Sequence, residues 1–226
     1  MKNVAERIDS EIERRSLLKH PFYRMWSEGK LTLDHLQSYS KEYFQLVKAV
    51  PRFVENISAL TADPTIKESI EQTMKEESEH IEPWIRFADA IGVPRKDIVN
   101  YIATDKTNAA ISDLTHITTL SLEESAAAMY AYEKELPKIS RSKIDGLKKF
   151  YGMNNNTQAT NYFEIHEEAD VRHAAVWHNI IQEIPVEKEE LEFNAAVLSL
   201  ETQNKLLDSV QGKNSGSISY KYMYLV

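Results

Sequence analysis

The stretch His166-Glu167-Glu168-Ala169-Asp170-Val171-Arg172-His173 decides how the chain is read. Successive residues of a helix advance about 100° around its axis, so His166, Asp170 and His173, at i, i+4 and i+7, fall within about 60° of arc. Two imidazoles and a carboxylate on one face are donors that a redox-active transition metal takes. A pair of buried histidines sharing an Asp would give the same pattern without metal. Glu167 and Glu168 lie about 100° and 160° from His166 and belong to the flank or to solvent. Glu168 and Arg172, at i,i+4, read as a surface pair worth a few tenths of a kcal/mol. His116 and His178 read as ordinary histidines, and His35, in the first turn of a helix, as exposed.

The surroundings of this stretch are helical. Six Gly and seven Pro in 226 residues leave room for long helices and few turns. Proline and glycine punctuation, with periodic apolar positions between, predicts helices over 4–18, 33–60 with a kink at Pro51, and 64–90 with Pro83 inside. Shorter pieces are expected over 95–101 and 108–118, followed by helices over 122–136, one ending at Tyr151-Gly152, 158–183 and 186–207. Thr32, Thr61 or Asp63, and Ser121 with Glu124 are the expected N-caps. Only 217–226 offers strand-like alternation. The expected fold is all-α, a single bundle of seven to eight helices over 1–210 with a tail over 211–226.

Composition narrows the function. Cysteine is absent, which excludes disulfides, thiolate metal sites and a Cys nucleophile. A chain without Cys suits a reducing compartment, and a cytoplasmic location is expected. The charged opening lacks the apolar core of a signal peptide. No stretch reaches the roughly 20 apolar residues that a bilayer requires, so no membrane partner is expected. A net charge of −8 repels phosphate and argues against nucleic acid. The basic cluster over 134–149 reads as a solvated helix face.

Two more segments carry polar residues on helices. In Met74-Lys75-Glu76-Glu77-Ser78-Glu79-His80, Glu76 shares a face with His80 at i,i+4 and Glu77 nearly shares it at i,i+3. Glu133 follows the small apolar run 125–130. With the first stretch, Glu76, His80, Glu133, His166, Asp170 and His173 would supply three carboxylates and three imidazoles from three helices, a donor set for two metal ions. Oxygen and imidazole donors suit Fe and Mn.

The stretches HPFYRMW (20–26), AYEKELPKISRSKIDGL (131–147) and HEEADVRHA (166–174), with the region 76–84, resemble the haem-oxygenase-like di-metal oxidase and oxygenase family, grouped with the TenA and pyrroloquinoline-quinone synthase C folds. The likeness is strongest to the branch named after a chlamydial protein associating with death domains. It implies a haem-oxygenase-like bundle whose metal ligands are Glu76, His80, Glu133, His166, Asp170 and His173. The interval from Glu76 to His80 is three residues shorter than the family pattern, which leaves Glu77 open as the ligand in place of Glu76. The resemblance further implies p-aminobenzoate synthesis for folate. Its cofactors would be two transition-metal ions, Fe or an Fe/Mn pair, with O2 and an external reductant as co-substrates. The ring would come from the protein's own Tyr23, with Tyr132 and Lys143 as further pocket residues, and the nitrogen either from a lysine, Lys143 being the candidate, or from an external donor.

On their own, Tyr23 reads equally as a packing residue beside Phe22 and Trp26, Tyr132 as a core tyrosine and Lys143 as a surface lysine. The competing functions are a di-iron oxygenase acting on a free small substrate, a metal-free oxidase like the quinone-cofactor synthases, and a helical protein-interaction module. A TenA-type thiaminase in its usual form would want the missing thiol. A homodimer is expected by analogy of fold.

Overall fold

Caps and prolines set the boundaries of the helices. The computed structural model describes residues 3–182 and 188–212, and these form α1 (Val4–Arg14), α2 (Pro21–Ser27), α3 (Leu33–Val47), α4 (Val50–Ser58), α5 (Pro64–Ala90), α6 (Arg95–Val99), α7 (Asp105–Ile117), α8 (Leu122–Glu133), α9 (Leu136–Phe150), α10 (Thr157–Ile181) and α11 (Glu189–Gly212). The chain is all-α, as its punctuation predicts. Among the described residues the helices outnumber the expected seven or eight because short pieces such as α2 and α6 stand as separate helices.

Thr32, Asp63 and Ser121 each accept a hydrogen bond from the first turn that follows them, and Ser121 forms a full capping box with Glu124. The first helix stops at Arg14 rather than at 18. Ser16 Oγ accepts from Leu18 N and redirects the chain into a 3-10 turn, Leu17–Lys19. Pro21 then opens α2 at a position where no N–H is needed, and His20 Nδ1 accepts from Phe22 N. The kink expected at Pro51 is a break: α3 ends at Val47, and Pro51 lies in the first turn of α4. At Pro83 the opposite holds, since α5 continues through it. The strand expected over 217–226, and all but the first two residues of the tail over 211–226, lie outside the described residues. Among those described, no helix is long and apolar enough to cross a membrane.

α10 is the hub, packed against α5, α8 and α9, while α11 covers α8 and α7. Ala126, Ala127 and Ala128 are fully buried in α8, and small side chains there let its neighbours approach closely. One contact fixes α2 against α9. A Cβ on Gly146 would stand 2.5 Å from Trp26 Cδ1, and Trp26 Nε1 donates to Lys143 O at 3.2 Å. Glycine is therefore required at 146 by close approach, not by backbone angle. That contact places Tyr23, three residues before Trp26, beside Lys143, three residues before Gly146.

Candidate metal centre

Six ionisable side chains meet where α5, α8 and α10 touch. α5 buries Ile70, Thr73, Glu77, His80, Trp84 and Phe87 along one stripe, and α10 buries Phe163, His166, Asp170, His173 and Trp177 along another. Both stripes alternate steps of three and four residues, so each stays on one face. Glu77, His80 and His166 offer ligand atoms within 4.8 Å of one another, and so do Glu77, Asp170 and His173. Glu77 belongs to both groups. Glu133, 1% exposed at the end of α8, adds a third carboxylate, one oxygen of which accepts from Trp177 Nε1 at 2.7 Å.

Glu76 is not among these groups. One position round α5 from Glu77, it turns about 100° away to the rim, where its carboxylate meets Gln72, Arg172 and the outer nitrogen of His173. Arg172 likewise departs from the surface pair expected with Glu168: its guanidinium reaches Glu76 at 2.8 Å and only the backbone carbonyl of Glu168. The sequence signal that finds Glu77 is the stripe itself, since Glu77 continues the run 70, 73, 77, 80, 84, 87 and Glu76 does not.

The inner atoms lack partners. Both oxygens of Asp170, Oε1 of Glu133, Nδ1 of His80 and Nδ1 of His173 are buried without a hydrogen bond. A buried polar atom left unpaired costs about 1–3 kcal/mol, so five converging ones describe a place for cations. The outer atoms, by contrast, are committed. His166 Nδ1 lies 2.8 Å from the carbonyl of Tyr162, which directs Nε2 inward, and Tyr162 stacks on the imidazole at 4.0 Å. Carboxylates and imidazoles in this number and arrangement fit two divalent transition ions.

Electrostatics agree with that fit. Burial lifts the Asp170 carboxyl well above its usual range, aided by the charges of Glu77 and Glu133. Burial and Glu77 also raise Glu133 to about 8. Desolvation drives His166 down to about 3. Burial would lower His173, yet the Glu77 carboxylate 3.1 Å from its Nδ1 and the fields of Glu133 and Asp170 prevail and raise it to about 10. Glu77 would rise on burial, but His173 and His80 hold it well below the usual carboxylate range. Without cations the site keeps protons on groups that metal would deprotonate.

A narrow cavity lies against this cluster. Its volume is about 20 Å³, and its walls include Asp170, His166, Glu77, Tyr132, Tyr43 and Lys143. Lys143 is 3% exposed and not the surface residue its position first suggests. Its amine donates to Tyr39 Oη at 2.8 Å and sits 5.2 Å from the ring centre of Tyr23 and 5.1 Å from that of Tyr43. Desolvation lowers its pKa to about 7, opposed by Asp170. Tyr23 is buried behind this wall, its hydroxyl 3.4 Å from that of Tyr39. Tyr39 and Tyr43, one helical turn apart in α3, and Tyr162, one turn before His166, are neighbours that the metal-donor motifs do not reveal.

Residues 8–205 match the TENA/THI-4/PQQC family. The chain belongs to that family. It is 33% identical over 187 residues to a 4-aminobenzoate synthase of Chlamydia pneumoniae, an alignment covering 80% of this chain and 83% of that one. The fold superposes with a TM-score of 0.80 on a TenA homologue from Pseudomonas syringae pv. tomato, at 14% identity and covering 92% of this chain and 93% of that one. A domain of heme oxygenase-like fold from Shewanella denitrificans gives 0.74 at 20% identity, covering 98% and 95%. Within the TENA/THI-4/PQQC family, then, this member joins a haem-oxygenase-like bundle to two adjoining groups of buried metal donors.

Proposed function

We propose that the protein is an oxygen-dependent di-metal oxidase that makes p-aminobenzoate for folate synthesis, with Tyr23 as the source of the ring and Lys143 as the nitrogen donor. The observation that carries this reading is the buried amine of Lys143. It stands among the rings of Tyr23, Tyr39 and Tyr43 on one wall of a cavity whose other wall is Asp170, His166 and Glu77. Similarity to the chlamydial 4-aminobenzoate synthase supports the product.

In this reading Glu77, His80, Glu133, His166, Asp170 and His173 would hold two ions, Fe/Fe or Fe/Mn. Metals bound there would supply activation of O2, with electrons from an external reductant. The chain's own residues then do the rest. Tyr43, Tyr132 and Tyr162 wall the cavity and keep water from the oxidant. Lys143, with a pKa near 7, offers an unprotonated amine to a large fraction of molecules at neutral pH. Tyr39 holds that amine at 2.8 Å and keeps it over the Tyr23 ring. The cavity is narrow, about 20 Å³, and a ring already in the protein needs no path into it.

The test is single-turnover assay of purified protein carrying ring-labelled tyrosine, with Fe or Mn, reductant and O2. Labelled p-aminobenzoate should form without added precursor, and Tyr23→Phe should abolish it while leaving the metal content unchanged. Product that appears only after an aromatic compound is supplied would instead make the protein a di-iron oxygenase of a free substrate.

A further inference from the structure

Glu76 has an unusual set of partners for a residue on an exposed helix rim. Its Oε2 lies 3.0 Å from His173 Nε2 and 2.8 Å from Arg172 Nη2, and its Oε1 accepts from Gln72 Nε2 at 2.9 Å. His173 has its other nitrogen, Nδ1, on the opposite side of the ring, 3.1 Å from Glu77 Oε1 and 3.7 Å from Asp170 Oδ1. The imidazole therefore spans from the rim to the donor cluster, with one nitrogen for each.

The geometry points to Glu76 as a positioning residue that selects the Nε2–H tautomer of His173 and aims its Nδ1 lone pair into the metal site. This rests on the di-metal reading above and adds to it a residue that touches no ion. A carboxylate accepting from the outer N–H of a ligand imidazole fixes its orientation and makes the inner nitrogen a better donor. Arg172 and Gln72 hold the carboxylate in place and keep it charged. His166 is arranged in the mirror sense: Tyr162 O takes its Nδ1–H, so Nε2 faces inward. The two histidines of the motif would thus bind through opposite nitrogens, one fixed by a backbone carbonyl and the other by a side chain from a different helix.

Because the Glu76 side chain is 23% exposed, its truncation opens no core cavity. Wild type, Glu76→Ala, Glu76→Gln and the exposed control Glu79→Ala are to be loaded anaerobically with Fe(II) or Mn(II). Stoichiometry is read at saturation and affinity by chelator competition. Glu76→Ala should still take up as many ions as wild type, with one of them held about 10–100-fold more weakly. Glu76→Gln, whose amide oxygen still accepts from Nε2–H, should lose less, and Glu79→Ala nothing. In 15N-histidine NMR of the Zn(II)-loaded protein, His173 should be protonated at Nε2 and His166 at Nδ1.

Wild-type affinity in Glu76→Ala would overturn the assignment. So would the loss of a whole ion from both Glu76 variants, because that would make Glu76 a ligand. Wild-type protein that takes up no ion at all would overturn the di-metal reading itself, an outcome visible before any variant is measured.

Discussion

Two carboxylates of this protein are buried to nearly the same degree and live in opposite surroundings. Glu42, in α3, is fully buried, and its oxygens accept from Tyr101 Oη at 2.5 Å, Thr107 Oγ1 at 2.6 Å, and Thr104 through both N and Oγ1 at 3.3 Å. Asp170, 1% exposed in α10, has neither oxygen hydrogen-bonded. Burial of charge for structure comes with donors supplied by the chain, because otherwise the fold would not tolerate it. Buried polar atoms without partners, both oxygens of Asp170 and one atom each of Glu133, His80 and His173 at the same spot, mark lone pairs kept for something that is not protein. The contrast separates a strut from a ligand set more cleanly than burial does.

The sharpest way to break that contrast is to remove each carboxylate. Glu42→Ala should cost about 3–5 kcal/mol by chemical denaturation, since it removes the acceptor that ties buried Thr107 and the half-buried Tyr101 and Thr104 to α3. Asp170→Asn should leave the metal-free protein as stable as wild type or more so, while metal uptake falls and turnover is lost. If the metal-free Asp170→Asn protein were as damaged as Glu42→Ala, the two sites would be alike and Asp170 a structural group.

Lys143 tests the same idea with a cation. Its pKa is lowered to about 7 in the fold, whereas the unfolded chain keeps that proton to about 10.5. Between those values the unfolded state binds more protons, so the Lys143 contribution to stability rises with pH. Lys143→Met should therefore be more stable than wild type below pH 7, by roughly 2–5 kcal/mol. The advantage should shrink as pH approaches 10.5. Urea titrations at pH 6.5 and 9.5 measure it, and a pH-independent difference would place the amine in water.

A smaller effect is expected at Gly146, where alanine would drive a methyl into the indole of Trp26. Overpacking of this kind costs about 1–3 kcal/mol. Because Trp26 sets α2 against α9, Gly146→Ala should also reduce product yield through Tyr23 without lowering metal stoichiometry. Smallest of all is Ser121→Ala, which removes the capping box of α8 far from the cluster. It should lower stability by about 1 kcal/mol and leave metal affinity alone. A change in metal affinity would show that the seating of Glu133 depends on the start of its helix.

Much of the fold could be read along the chain because caps and breakers act locally. Ser121 with Glu124, Thr32 and Asp63 begin helices where their side chains demand it. Prolines were harder to read: Pro21 begins a helix, Pro51 follows a break and Pro83 is absorbed, outcomes that depend on which carbonyl each ring meets in the packed structure. The candidate site divides the same way. His166, Asp170 and His173 share a face by arithmetic alone. Lys143 looks like any lysine of a basic helix, and nothing local says that α2, α3 and α10 will close over it.

Interactions within a few residues thus settle the all-α character, the helix starts at Leu33, Pro64 and Leu122, the absence of thiol chemistry and the facing of one donor motif. Tertiary structure decided the rest: Glu77 inward and Glu76 on the rim, Glu133 against Trp177, and Lys143 among tyrosines. Adjacent glutamates are chemically identical in one dimension, and they differ only when the helix bearing them is pressed against another. That contact strips water from one carboxylate and leaves its neighbour an arginine.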